Sequence, residues 1–335
     1  MKIIRFLKML DEIQKYGLKS QVILLYNHKI KHDYSDYDLK IKRQTFYHNL
    51  DKSKYETELK KWYYFRTGHK LNLDCPKRFT EKVQWLKLYG FGDLETRLVD
   101  KYLVRDWVKE QIGEQYLIPL YGVWADPEDI DYDKLPKSFM LKGNHGSQMN
   151  IRVNDKDNLD IENLTDTLKR WLSLDFAHCL GGFELQYESV PRRIIAEEIM
   201  IDDGKCDLDD YKFHCFNGVP KFCEVISGRS EIETIDYYDM EWVHQDFIDE
   251  PESSAIKNST YKIPMPANFQ EMKRIASKLS GGFPYVRVDL YSINNRIYFG
   301  EMTFTPASGG DKFTPDAADF MLGELLSIDG IRNLS

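Results

Sequence analysis

Over residues 1 to about 95 the apolar positions recur at helical spacing. Ile3, Ile4, Phe6, Leu7, Leu10 and Ile13 share one face of a helix. Leu59, Trp62, Tyr63 and Phe65 form a second stripe, predicted to face a core. A capped helix is predicted over 80–89, and another over 98–112 with Gly113 as its stop. The texture then changes to short apolar runs bounded by turn residues. Strands are predicted over 117–124, 138–142, 149–153 and 193–200, with a helix over 158–175 between them. This grouping implies a small α+β unit. Two hairpins follow. The first spans 211–226 and turns at Asn217-Gly218, a strong turn signal; the second spans 285–304 and turns near Asn294-Asn295. The polar stretch 230–268 between them reads as loop-rich, and 272–279 reads as a helix ending at Gly281-Gly282.

At 335 residues the chain is too long for one small core and long enough for two or three packed subdomains. Its 42% hydrophobic and 30% charged residues are ordinary for a globular protein, and 13% aromatics argue against disorder. The net charge of −8 excludes a generic nucleic-acid binder, which needs a basic field. The five cysteines Cys75, Cys179, Cys206, Cys215 and Cys223 are odd in number and contain no C-x-x-C pair. Buried thiols in a reducing compartment are therefore expected, without a disulfide framework or zinc site. No signal peptide is expected, because charges interrupt the N-terminal apolar positions; the apolar run 22–26 is too short to span a bilayer. The N-terminal amphipathic stripe is expected to pack on its own domain, with contact to a membrane surface as the alternative.

Chemistry concentrates in four segments. In Val286-Arg287-Val288-Asp289-Leu290, alternation places Arg287, Asp289 and Tyr291 on one face. A three-residue loop would pair Ile293 with Ile297 and hence Asp289 with Glu301; a two-residue loop would offset them by one position. Carboxylates directly opposite on a sheet repel, and a divalent cation would compensate, magnesium being suited to carboxylates plus phosphate oxygens. In Phe139-Met140-Leu141-Lys142-Gly143-Asn144-His145-Gly146-Ser147 an apolar strand ends in a lysine and a small-residue loop, which suits phosphate, although no Walker A motif is present. The apolar strand Ile194-Ile195-Ala196 ends in Glu197-Glu198, carboxylates able to accept a ribose hydroxyl or an adenine amine. Lys212 starts a hairpin strand and Arg229 ends it, as phosphate ligands or as edge charges. His145 is expected to cap its turn, and Trp85, Trp107 and Trp171 to lie in cores.

Taken in order, these segments resemble the ATP-grasp superfamily over about 96–325. The strings LVDKYLVRDWV, LPKSFMLKGNHGS, DLDDYKFHCFNG and VRVDLY…IYFGEMTFTPASGG resemble the TupA-like ATP-grasp family, associated with teichuronopeptide, capsule and other surface-polysaccharide synthesis. The resemblance implies an α+β ATP-grasp fold: a mainly helical region over 1–95, a small lid subdomain over 96–200 and a large subdomain over 201–335. It implies a cytoplasmic ligase, in peripheral contact with membrane-associated polysaccharide machinery, that uses ATP and Mg²⁺ to join a carboxylate to an amine. Lys101 and Lys142 would match the lysines that hold the ATP phosphates, with Gly143, Gly146 and Ser147 in the loop closing over them. Glu197, Glu198 and Ile199 would match the adenine–ribose hinge. Asp289 and Glu301 would match the metal carboxylates. Thr303 stands where many relatives have Asn. Arg287 would match the basic residue at the transferred phosphoryl group, with Lys142 and Lys212 beside it. The alternatives are a glycosyltransferase using Asp207-x-Asp209, a non-catalytic scaffold on the same fold, and a hydrolase, for which no G-x-S-x-G motif exists.

Overall fold

A computed structural model describes residues 36–202 and 207–331. The amphipathic stripe at residues 3–13 and Cys206 lie outside the described residues.

Helices come first. α1 (Asp36–His48) and α2 (Tyr55–Thr67) pack through Tyr47, Leu59 and Tyr63. α2 ends on Gly68, whose φ of 82° only glycine adopts freely. Leu59, Trp62 and Tyr63 are buried as expected, but Phe65 is exposed, because it faces a cavity described below. α3 (Phe79–Tyr89) starts where the Glu81 carboxylate accepts the amides of Lys77 and Arg78 at 2.8 and 3.1 Å.

The helix predicted over 98–112 is broken. α4 (Asp93–Val99) stops at Asp100, and α5 (Val104–Gln111) starts after it. Asp100 is buried, and its Oδ1 accepts the amides of Tyr102 and Leu103 at 2.8 and 3.2 Å. This side-chain cap competes with helix continuation and places Lys101 in the break rather than on a helix.

A four-stranded antiparallel sheet follows: β1 (Leu120–Trp124), β2 (Phe139–Gly143), β3 (Asn150–Val153) and β4 (Ile194–Glu197), in the order β1-β4-β2-β3. One face packs Phe139, Leu141, Ile194 and Ala196 against α6 (Ile161–Ser173). The other face carries Lys142 and Glu197. A short helix, α7 (Phe176–Cys179), follows α6.

The second sheet has six antiparallel strands: β5 (Asp210–Phe216), β6 (Val219–Ser227), β7 (Thr234–Asp239), β8 (His244–Gln245), β9 (Tyr285–Ile293) and β10 (Arg296–Thr303), in the order β10-β9-β5-β6-β7-β8. β7 and β8 fall inside the stretch expected to be loop-rich. The signal was hidden because both faces of β7 are covered: Asp236 is fully buried, held by His244 Nε2 at 2.9 Å and the Ser259 amide at 3.1 Å. One face of this sheet buries Phe213, Cys215, Val286, Val288 and Met302 against α4, α5 and α8 (Phe269–Leu279). On the other face, Phe216 and Tyr285 pack under α3 and α9 (Ala317–Leu325). These helices cover one end of that face and leave the other to polar residues. Cys179, Cys215 and Cys223 are buried free thiols; Cys75 is exposed, in the loop between α2 and α3.

Candidate active site between the two sheets

The second hairpin has a two-residue turn, Asn294 and Asn295 at φ 49° and 60°, and pairs Arg296 with Ile293. That register alone would set Gly300 opposite Asp289 and send Glu301 to the apolar face. A bulge at Gly300 inserts one residue, so Glu301 pairs with Asp289 and Thr303 with Arg287. A Cβ at Gly300 would lie 3.1 Å from the Asp289 carbonyl oxygen and 3.1 Å from the Tyr291 ring.

Across the sheet, Lys212 pairs with Asp289 on one side and Glu224 on the other. One row on the open face therefore reads Glu224, Lys212, Asp289, Glu301. The next contains His214, Arg287 and Thr303. Arg287 grips Asp289 with two hydrogen bonds of 2.8 Å, and its guanidinium lies 3.3 Å from Thr303 Oγ1 and 3.6 Å from Glu301. Burial would raise the Glu301 carboxyl, but Lys101, Arg287 and Lys212 outweigh it and hold the group down at about 2. Burial pushes Asp289 up, against the opposing pull of Arg287 and Lys212. Two carboxylates and a hydroxyl converging on one face form a hard-oxygen donor set that fits Mg²⁺.

From the facing sheet, Lys142 donates to Glu197 at 2.8 Å, and Arg105 reaches the other Glu197 oxygen at 3.2 Å. Lys101 spans both sheets, donating to the Gly146 carbonyl at 2.7 Å and lying 3.1 Å from Glu301. Lys101, Lys142, Gly146, Ser147, Glu197, Lys212, Asp289 and Glu301 all line one cavity of about 380 Å³. Gly143 sits behind it, its amide bonded to the Met149 carbonyl at 2.9 Å. Gly146 is pressed against Phe176, where a Cβ would come within 2.4 Å of the ring. His145 is buried, bonded to Asn144 and the Trp171 carbonyl; burial and the nearby Arg192 push it down to about 4, so it is neutral and structural.

The hinge residues separate. The Glu197 side chain belongs to the cavity with the lysines, whereas Glu198 and Ile199 line an adjoining cavity of about 270 Å³ with Ile118, Met140 and Tyr291. Arg287 and Thr303 face a third cavity, on the far side of the Lys101–Glu301 pair. Asp207 lines the first cavity, but its carboxylate accepts the Ser230 amide and hydroxyl; Asp209 is bonded to Ser227 Oγ, so the two acids do not converge as a metal pair. Arg229 is paired with Asp210.

Sequence reasoning missed Arg105 and Glu224. Arg105 sits four residues from Lys101, but only the break at Asp100 turns both toward the cavity. Glu224 reaches Lys212 through a second irregularity, between His214 and Cys215, which the Asn217-Gly218 turn alone does not reveal.

The sequence profile of one protein family, described as TupA-like ATPgrasp, matches residues 81–327. No curated protein matches the chain. Among solved structures, it is similar to D-alanine–D-alanine ligase from Bacillus anthracis complexed with ATP, at 17% identity and a TM-score of 0.40, covering 71% of this chain and 66% of that one. D-Alanine–D-alanine ligase from Helicobacter pylori is 13% identical with a TM-score of 0.38, over 75% and 70% of the two chains. N5-carboxyaminoimidazole synthase from Aspergillus clavatus is 13% identical with a TM-score of 0.35, over 62% and 44%. The chain thus spans just under two thirds of the Bacillus ligase.

Proposed function

The chain belongs to the TupA-like ATP-grasp family, and from that premise we propose that it is an ATP- and Mg²⁺-dependent carboxylate–amine ligase. The observation that supports this best is a single cavity in which Lys101, Lys142 and Lys212 face the paired carboxylates Asp289 and Glu301. In this reading the 96–200 segment is the lid and 201–335 the body that carries the carboxylates. Lys101 and Lys142 hold the ATP phosphates, and Glu198 and Ile199 border the adenine–ribose side.

Asp289, Glu301 and Thr303 would hold magnesium, which when bound neutralises charge on the phosphate oxygens. A substrate carboxylate attacks the γ-phosphorus; the P–O bond to ADP breaks and an acylphosphate forms. Two anions must approach, so positive charge is required at the point of transfer, and Arg287 with Lys142 supplies it. An amine then attacks the acyl carbon, loses a proton and expels phosphate, leaving an amide. The lid keeps water from the acylphosphate. We infer a sugar uronate as acid and an amino acid or other amine as partner, in surface-polysaccharide synthesis, from the family's association. No described helix is long and apolar enough to cross a membrane.

Isothermal titration with Mg·ATP, beside UDP-glucose, tests the reading. Saturable Mg·ATP binding weakened at least tenfold by Lys142→Ala and Asp289→Asn is the expected result. Binding of the nucleotide sugar without ATP would overturn it in favour of a glycosyltransferase.

A further inference from the structure

The cavity on the far side of the Lys101–Glu301 pair is the larger of the two that meet there, at about 670 Å³, within the range of small-molecule sites. One end is Arg287, Glu301 and Thr303, where phosphoryl transfer is placed above. The other end is built by the helices that precede both sheets: α1 contributes Lys40 and Arg43, and α2 contributes Trp62, Phe65 and Arg66. Five cations line the cavity, namely Lys40, Arg43, Arg66, Lys101 and Arg287, against only two acids, Glu184 and Glu301. Both acids are already engaged. Glu184 accepts from Thr305 Oγ1 at 2.5 Å and faces the buried Lys87; Glu301 has Lys101.

The cations at the helical end are under-matched. Lys40 pairs with Asp36 at 2.9 Å. Arg43 is half-buried, its Nε is sealed from solvent without a hydrogen-bond partner, and it forms no ion pair among the described residues. A half-buried guanidinium without a counter-ion carries a desolvation cost that an incoming anion offsets. Arg66 likewise has no ion pair among the described residues and lies 6.0 Å over the Trp62 ring. Phe65 stays exposed beside it, on a helix whose other aromatic residues are largely buried. Guanidinium forks suit carboxylate and phosphate groups, which accept two parallel hydrogen bonds.

We propose that this cavity is the acceptor site and that the acceptor is at least dianionic: one carboxylate reacts at the Arg287 end, while a second anionic group is held by Arg43 and Arg66. The proposal rests on the ligase reading and narrows its substrate class. A simple amino acid or a lone uronate fills only the reacting end. The second anion is either the next uronate of an oligomer or the phosphate of an activated sugar; both present the same oxygens to the arginines. The helices before the grasp domain thereby acquire a function, acceptor selection, which no residue in them disclosed on its own.

The test is titration of the full chain, preloaded with Mg²⁺ and a non-hydrolysable ATP analogue, with galacturonate, digalacturonate and galacturonic acid 1-phosphate. Arg43→Gln and Arg66→Gln are measured alongside; Arg66 is exposed, so its variant folds even if the Arg43 variant does not. The expected result is that one dianionic probe binds at least tenfold more tightly than galacturonate. Both variants lose that advantage and keep their Mg·ATP affinity. Preference for digalacturonate assigns the anion to an oligomer, and preference for the phosphate assigns it to an activated sugar. Equal binding of all three probes, binding of none, or an advantage that survives both substitutions overturns the proposal while leaving the ligase reading intact. Failure of the unsubstituted chain to bind Mg·ATP overturns the ligase reading, and this one with it.

Discussion

Gly300→Val strikes the feature that brings the two carboxylates together. The new Cβ would lie 3.1 Å from the Asp289 carbonyl oxygen and 3.1 Å from the Tyr291 ring, so both must give way by a few tenths of an ångström. Overpacking of this kind costs about 1–3 kcal/mol. The hairpin cannot escape by ironing out the bulge. A regular ladder would turn Met302, now 2% exposed, toward the polar face and lose about 1.5–3 kcal/mol of burial. It would also drive the Glu301 carboxylate into the apolar core at a cost of several kcal/mol. The strain therefore stays local and is carried by the Asp289 backbone. If the nucleotide-bound state bears about 1.4 kcal/mol of it, Mg·ATP affinity falls about tenfold. Calorimetric titration and a thermal melt read the two effects separately. Deleting Gly300 is the informative companion. It removes the bulge but leaves Glu301 opposite Asp289 and Met302 opposite Val288 in a straight ladder, so it should fold and bind Mg·ATP more tightly than Gly300→Val. A folded deletion variant without Mg·ATP binding, beside a valine variant of unchanged melting temperature and affinity, would refute the reasoning.

Lys87→Met strips Gln84 Oε1 and the Ser308 carbonyl of 2.8 Å hydrogen bonds in a buried setting, so denaturant unfolding should show a loss of about 1–3 kcal/mol. Gly146→Ala sets a Cβ 2.4 Å from the Phe176 ring and 2.7 Å from Met149 Cε, which must push outward the 143–147 loop proposed to face phosphate; Mg·ATP titration should show at least a threefold weaker Kd, and an unchanged Kd would count against the loop's assignment. Burial, with Glu224 nearby, pushes Asp249 up to about 7 from an ordinary carboxyl value of 3.8. The folded state thus keeps a proton that the unfolded chain releases above about pH 4, so this group's contribution to stability falls as pH rises from about 4 to 7. Asp249→Asn should raise the melting temperature at pH 8 and flatten its decline over that interval; a parallel decline in both proteins would remove Asp249 as the cause.

The strand texture, both hairpin turns and the rank order of the charged motifs could be read from residues, because alternation and Asn-rich turns are local signals. From the sequence, a three-residue loop sets Glu301 opposite Asp289 and a two-residue loop offsets them by one; the structure has the two-residue turn, and the bulge restores the pairing. The sequence does carry that sign: strict alternation from Ile297 to Phe299 skips a beat before Met302, and Gly300 stands in the gap. The break at Asp100 was harder to see, because heptad-like apolar spacing continues through it while one buried carboxylate decides the backbone. The sequence presents Glu197 and Glu198 as one unit, yet Glu197 ends β4 and Glu198 lies just beyond it, and the two line different cavities. The helical end of the large cavity was invisible, since Arg43 and Arg66 lie on separate helices and meet only in three dimensions.

Each cation lining the cavity proposed for the nucleotide already has an anion inside the protein: Lys142 and Arg105 share Glu197, Lys101 has Glu301, Lys212 has Glu224 and Arg229 has Asp210. Filling the site is therefore an exchange of partners rather than the discharge of a bare positive field. Under the proposed ligase reading, a triphosphate capturing Lys101 would strip a counter-charge from Glu301, and that carboxylate would then call for a divalent ion. A divalent ion held there would in turn free the lysine for phosphate. On that reading nucleotide and metal should raise each other's affinity by the same factor, and because internal charges trade places, that mutual gain should depend only shallowly on ionic strength.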